Sequence, residues 1–120
     1  MSEIKFDVYQ EKCPSRQALE IMSDKWTILI VNKLSQKTHR FGELKKDIGG
    51  VSQKVLTQTL RALEKNGFVF RKNYQTMPLK VEYSLTQLGL SLSSIFNLIT
   101  EWAEQNIQDV LKAQLLYENK

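Results

Sequence analysis

The chain of 120 residues is 42% hydrophobic and 25% charged, with a net charge of +4 at pH 7. That is the profile of one globular domain with a modest core and room for an added dimerisation element. One cysteine excludes an internal disulfide and a multi-cysteine zinc site, and the single histidine has no partner of its own kind for a metal.

No apolar run approaches the roughly 20 residues of a membrane span. The N-terminus lacks a basic-then-apolar signal pattern, so a cytoplasmic protein without membrane contact is expected. The charge is unevenly placed. Residues 36–80 carry ten basic side chains against three acidic ones, a balance of +7, whereas residues 1–35 balance to zero and residues 81–120 to −3. A cationic segment of this kind is an electrostatic footprint for a polyanion.

Residues 1–12 show no firm period and read as a flexible or docking arm. Cys13-Pro14-Ser15 looks like a helix start, with proline where its missing N–H costs little, and Ala18, Leu19, Ile21 and Met22 supply an apolar face. Asp24 can cap a second helix, about residues 25–35. It is apolar on most sides through Trp26, Ile28, Leu29, Ile30, Val31 and Leu34, and so belongs in the core.

Thr38 to Phe41 is a short extended piece, followed by a short helix over residues 42–48 and the tight turn Gly49-Gly50. The stretch from Val51 to Gly67 is an amphipathic helix with both ends marked. Ser52 is a good N-cap, Asn66-Gly67 a good stop, and Leu56, Leu60 and Leu63 form a stripe fit for burial. Its other face carries Gln53, Lys54, Thr57, Gln58 and Arg61, with no acid before Glu64. Amides and guanidinium groups are what base edges and phosphates require; alone, the same face is also that of an ordinary surface helix. A short helix, a glycine turn and an amphipathic helix in succession are the signature of a helix-turn-helix.

After Gly67 the period changes to two. Residues 68–74 and 79–85 read as strands joined by the polar turn 75–78, with Arg71, Lys72 and Lys80 near the tip. A basic hairpin directly after a recognition-type helix is a wing. Thr86 caps a last helical region whose Leu88, Leu92, Ile95, Phe96, Ile99 and Trp102 exceed what so small a domain covers. Ile107, Val110, Leu111, Leu115 and Leu116 continue the pattern past a break expected near Gln105-Asn106. The expected cover is a second copy of the chain, through Leu92, Ile95, Phe96, Ile99, Trp102, Val110 and Leu111.

Cys13-Pro14, Asp24-Lys25-Trp26-Thr27-Ile28-Leu29-Ile30 and Arg40-Phe41-Gly42-Glu43-Leu44 resemble successive motifs of the HxlR family of bacterial transcriptional regulators. So do residues 52–57 with 60–64, and Val81-Glu82-Tyr83-Ser84-Leu85-Thr86-Gln87-Leu88-Gly89. The match runs from about Cys13 to Trp102, and the ordered combination is what makes it specific. The resemblance implies a mainly α fold with a small β-hairpin, a winged helix-turn-helix similar to the MarR group, binding palindromic operator DNA as a homodimer. It implies a recognition helix from Ser52 and a wing over residues 71–80. Some members of the family sense oxidants or electrophiles through a cysteine at the place of Cys13.

The expected organisation is an arm (1–12), a DNA-binding domain (13–86) and dimerisation helices (87–120). Base and phosphate contacts fall to Ser52, Gln53, Lys54, Thr57, Gln58 and Arg61, and backbone contacts to Arg40, Lys45, Lys46, Arg71, Lys72 and Lys80. Lys45-Lys46 could be a solvated face, but on the helix before the recognition helix the pair is favourably placed for phosphate. Cys13, beside Lys12 and Arg16, is a candidate reactive thiol or a small buried apolar residue. His39 reads as a surface or turn residue rather than a ligand, and Trp26 and Trp102 as packing residues. No cofactor and no catalytic or metal site is expected, since there is no Ser/His/Asp set, metal cluster or glycine-rich phosphate loop. A winged helix can also serve as a protein-docking module, which is the competing function.

Overall fold

The computed structural model describes residues 5–120, so the first four residues of the expected arm lie outside it. In chain order the elements are α1 (Pro14–Met22), α2 (Lys25–Gln36), β1 (His39–Arg40), α3 (Phe41–Asp47), α4 (Gln53–Lys65), β2 (Val69–Asn73), β3 (Val81–Leu85) and α5 (Gln87–Glu118). This is a winged helix-turn-helix: α3 and α4 form the motif, and β2 and β3 the wing.

The helices begin where side chains meet orphan backbone donors. Asp24 accepts from the Thr27 N–H at 3.1 Å, Ser52 from Val55 at 3.1 Å and Thr86 from Gly89 at 3.1 Å. At the end of α4, Gly67 takes φ +83°, a left-handed conformation that lets the chain turn back into the wing. The core is built from Ile30, Val31 and Leu34 of α2, Leu44 of α3, and Leu56, Leu60 and Leu63 of α4, closed by Phe68, Val69, Leu92 and Phe96. The period-four leucines of α4 point into this core, which leaves its polar face outside.

The sheet has three antiparallel strands in the order β1-β3-β2. The extended piece at residues 39–40 is therefore a sheet strand as well as a connector, pairing His39 with Tyr83 and Arg40 with Glu82. That pairing carries His39 inside. Contrary to the surface position expected for it, the ring is 1% exposed, donates from Nδ1 to the Lys37 carbonyl at 2.8 Å, and holds Nε2 3.8 Å from Asp47.

Two further expectations are corrected. α5 is one continuous helix of 32 residues, with no break at Gln105-Asn106. Asn106 donates its side-chain amide to the Trp102 carbonyl at 2.9 Å, so its polar group is satisfied within the helix. Leu92 and Phe96, expected on the dimer face, are buried in the protomer's own core and cannot meet a partner. Within the expected arm, residues 7–10 form a turn docked on Arg16, whose Nε donates to the Val8 carbonyl at 2.8 Å.

Candidate nucleic-acid interface

On α4, Gln53, Lys54, Thr57, Gln58 and Arg61 fall within an arc of about 140° at helical spacing. All are exposed except Thr57, which is half-buried. Ser52 accepts the Val55 N–H at its hydroxyl oxygen, which fixes where that face begins and leaves its O–H able to donate outward. Lys54, Gln58 and Arg61 lie opposite the buried leucines, with Thr57 and Gln53 toward the flank, so the face is positioned by the core rather than by flexible connections.

The wing register sorts the basic residues. Arg71 pairs with Tyr83, which pairs with His39; Lys72 pairs with Glu82, which pairs with Arg40. Paired residues share a face and neighbours alternate, so Arg71 and Lys72 point to opposite faces of the sheet. Arg71 lines a cleft of about 300 Å³ with Thr57, Arg61 and Glu64 of α4. The two arginines thus belong to one surface running from the recognition helix to the wing.

Lys72 lies on the other face, its ammonium 4.6 Å from the Tyr74 ring centre, with Lys80 at 4.5 Å from the same ring. Lys80 also pairs with Glu82 at 3.3 Å, so its charge is partly neutralised. Arg40 reaches the Leu79 carbonyl at 3.5 Å, a long bond tying β1 to the end of the wing loop. Lys45 and Lys46 are exposed in the last turn of α3, where cations also complement the helix dipole. Among the described residues Lys45, Lys46, Lys54, Arg61, Arg71 and Lys72 make no ion pair. Tyr74 and Glu82 were not among the expected site residues. Their place beside Lys72 and Lys80 follows from strand alternation once the register is known.

Cys13 is half-buried at the start of α1. Its sulfur lies 3.1 Å from the Ser15 hydroxyl and accepts from the Asp7 N–H at 3.2 Å. The Ser15 hydrogen bond holds the thiol below its ordinary value, opposed by partial burial and the Asp7 carboxylate. Lys12 and Arg16 are not the cause, since Arg16 is turned to the arm's carbonyls. Glu43 accepts the Arg40 N–H at 2.8 Å, which keeps its carboxyl below the usual range and fixes the junction of β1 and α3.

On the flank of α5 turned away from Leu92 and Phe96, Ile95, Leu98, Ile99 and Trp102 share one arc, with Trp102 60% and Leu98 66% exposed. Val110 and Leu111 are exposed farther along. Among the described residues no helix is long and apolar enough to cross a membrane.

The sequence profile of the HxlR-like helix-turn-helix family matches residues 21–110. The HTH-type transcriptional regulator YtfH of Escherichia coli is 44% identical over 105 residues, spanning 88% of this chain and 83% of its own. YybR of Bacillus subtilis, of the same type, is 37% identical over 115 residues, 94% of this chain and 90% of its own. In solved structures, the YtfH regulator of Salmonella typhimurium superposes with a TM-score of 0.86 at 41% identity, covering 92% of this chain and 98% of that one. The redox regulator HypR in its oxidised form gives 0.72 at 36% identity, covering 78% and 97%. These relatives are transcriptional regulators and not enzymes. With an α3–turn–α4 motif, a wing and the family profile over most of its length, this chain belongs to the HxlR-like helix-turn-helix family of transcriptional regulators.

Proposed function

We propose that the chain is a sequence-specific DNA-binding regulator, repressor or activator, acting as a homodimer on a palindromic operator. The observation that carries this reading is the face of α4 with Gln53, Lys54, Thr57, Gln58 and Arg61 and no acid before Glu64, positioned by buried leucines and continued by Arg71 across the cleft to the wing. In this reading Gln53, Lys54, Thr57, Gln58 and Arg61 enter the major groove, with Arg61 and the glutamines reading base edges. Lys45, Lys46, Arg71 and Lys72 hold phosphates, while Arg40 and Lys80 contribute less because each has a partner within the protein. Residues 13–86 bind DNA. The distal part of α5 joins two copies through Ile95, Ile99, Trp102, Val110 and Leu111, whose exposed apolar surface favours burial against a second copy.

Cys13 is assigned an oxidant- or electrophile-sensing role. Support comes from its Ser15-stabilised thiolate and from similarity to the redox regulator HypR and to YodB of Bacillus subtilis, which is known in reduced and diamide-treated forms. As the chain has one cysteine, oxidation must link it to another molecule or stop at an oxyacid.

Anisotropy titration against DNA from upstream of its own gene, with a scrambled control, tests the reading. A dimer that engages about eight phosphates gives a log–log salt slope of about −7. Weak, equal and salt-insensitive binding to both DNAs would point instead to a protein-docking module. Loss of binding on diamide treatment, absent in Cys13→Ser, is the expected signature of sensing.

A further inference from the structure

Between α2 and α5 a cleft of about 410 Å³ opens, floored by the turn that leaves α3. Small-molecule sites occupy roughly 300–1,000 Å³. Leu29 and Ile48 give this cleft apolar walls, and its charged lining is Asp47, Glu101 and Glu104 against Lys33 alone. In a protein of net charge +4 that is a local reversal of sign. The clefts beside the wing carry Arg40, Arg61 and Arg71 instead. DNA cannot be the occupant of an acidic cleft, and an anionic ligand is disfavoured on the same ground.

A second observation concerns Asn32, also in the lining. The Thr100 hydroxyl donates to the Phe96 and Asn97 carbonyls at 3.2 and 3.0 Å, so only its lone pairs remain for Asn32. Asn32 therefore turns its NH₂ to Thr100, at 3.3 Å. Its Oδ1 is left buried with no donor, the one such side-chain atom among the described residues. An unmet buried acceptor is costly, and its presence beside a cleft calls for a donor from outside the protein. Among the described residues no group of three or more His, Cys, Asp or Glu is placed to hold a metal ion, and the apolar walls suit a cation with an organic body.

We propose that this cleft binds a small organic cation, an ammonium or amidinium group on an apolar body. Glu101 and Glu104 balance its charge, Leu29 and Ile48 border its body, and Asn32 Oδ1, left without a donor while its NH₂ holds Thr100, accepts its N–H. Ile48 and Gly49 lead directly into α4, so occupancy biases the recognition helix. That coupling rests on the DNA-binding reading above; the binding itself does not.

The test is titration of the ¹⁵N-labelled full chain with phenethylamine, and with phenylacetate as an anion of similar shape. The amine is expected to give saturable shifts at the Gly49 amide and the Asn32 side-chain amide, with affinity about tenfold weaker in Glu101→Gln/Glu104→Gln. Both glutamates are exposed, so the variant keeps its core. Leu29→Trp, which fills the cleft from its rim, should abolish the shifts independently. Equal binding of the anion, no saturation of the amine by about 10 mM, or shifts centred elsewhere overturns the site. An amine that saturates the cleft yet leaves DNA affinity unchanged overturns the coupling. Failure of the DNA reading would show separately, in the amine-free DNA titration.

Discussion

Replacing Gly89 by alanine sets helix propensity against a single close approach. Gly89 is buried in the first turn of α5, and a Cβ there would collide with the Phe68 carbonyl oxygen and meet Leu85 Cδ2 at 3.1 Å. That carbonyl cannot swing aside freely. It accepts the Thr86 N–H at 3.1 Å, while the Phe68 N–H donates to Leu63 at 2.9 Å. Propensity favours alanine by at most about 1 kcal/mol. Overpacking against backbone costs about 3 kcal/mol, and a weakened Thr86–Phe68 bond about 1 kcal/mol more. The steric side wins, for a net loss of about 3 kcal/mol, or roughly 10 °C in Tm for a domain of this size. Gly42→Ala is the control: nothing lies within 4 Å of its Cβ position, so it should be neutral or stabilising by up to about 1 kcal/mol. Urea unfolding at one fixed protein concentration measures both, because assembly would otherwise shift the midpoint. A Gly89→Ala variant as stable as the parent would refute the reasoning.

Three further outcomes are expected. Phe96→Ala should cost about 3–5 kcal/mol of stability by opening the core, whereas Trp102→Asp should leave the protomer folded and shift light-scattering mass from dimer to monomer. Arg71→Ala and Lys72→Ala should differ although adjacent: if each holds one phosphate in each copy, each flattens the dimer's salt slope by about 1.8, but only Arg71→Ala, in the cleft beside Arg61, should also change the preference among sequences. Ser15→Ala removes the donor that stabilises the Cys13 thiolate, so the pH midpoint of iodoacetamide alkylation should rise and the rate near neutral pH fall. An unchanged profile would place the cause of the low thiol value elsewhere.

The elements that repeat over many residues were legible in the sequence. α4 announced itself through Leu56, Leu60 and Leu63 with Ser52 and Gly67 at its ends, and the same local chemistry marked Asp24 and Thr86 as caps. What was not legible depends on partners distant in sequence. β1 is two residues long, too short for any period, and exists only because β3 lies beside it; with it the burial of His39 was hidden. The division of α5 is similar. Its apolar residues all look alike in sequence, and only the position of α2 decides that Leu92 and Phe96 turn inward while Ile95, Leu98 and Trp102 do not. The thiol's neighbours were misread for the same reason: Arg16 is near Cys13 in the chain but turned toward the arm. Of the wing, the strands and their charge were readable, while the separation of Arg71 from Lys72 needed only the alternation rule and a register.

The unbroken course of α5 has a geometric consequence. The helix starts where α4 ends, anchored by the Thr86 hydroxyl on the Gly67 carbonyl, and its 32 residues extend about 48 Å. In the dimer proposed above it is a rigid boom that carries the reading head, pivoting at the middle of the interface near Trp102, about 22 Å from the head end. A swing of roughly 10° about that pivot sweeps the head through about 4 Å, roughly an eighth of the 34 Å that separates successive half-sites. Small adjustments between two tails would thus be enough to put both heads in or out of phase with the double helix, without any change inside either head.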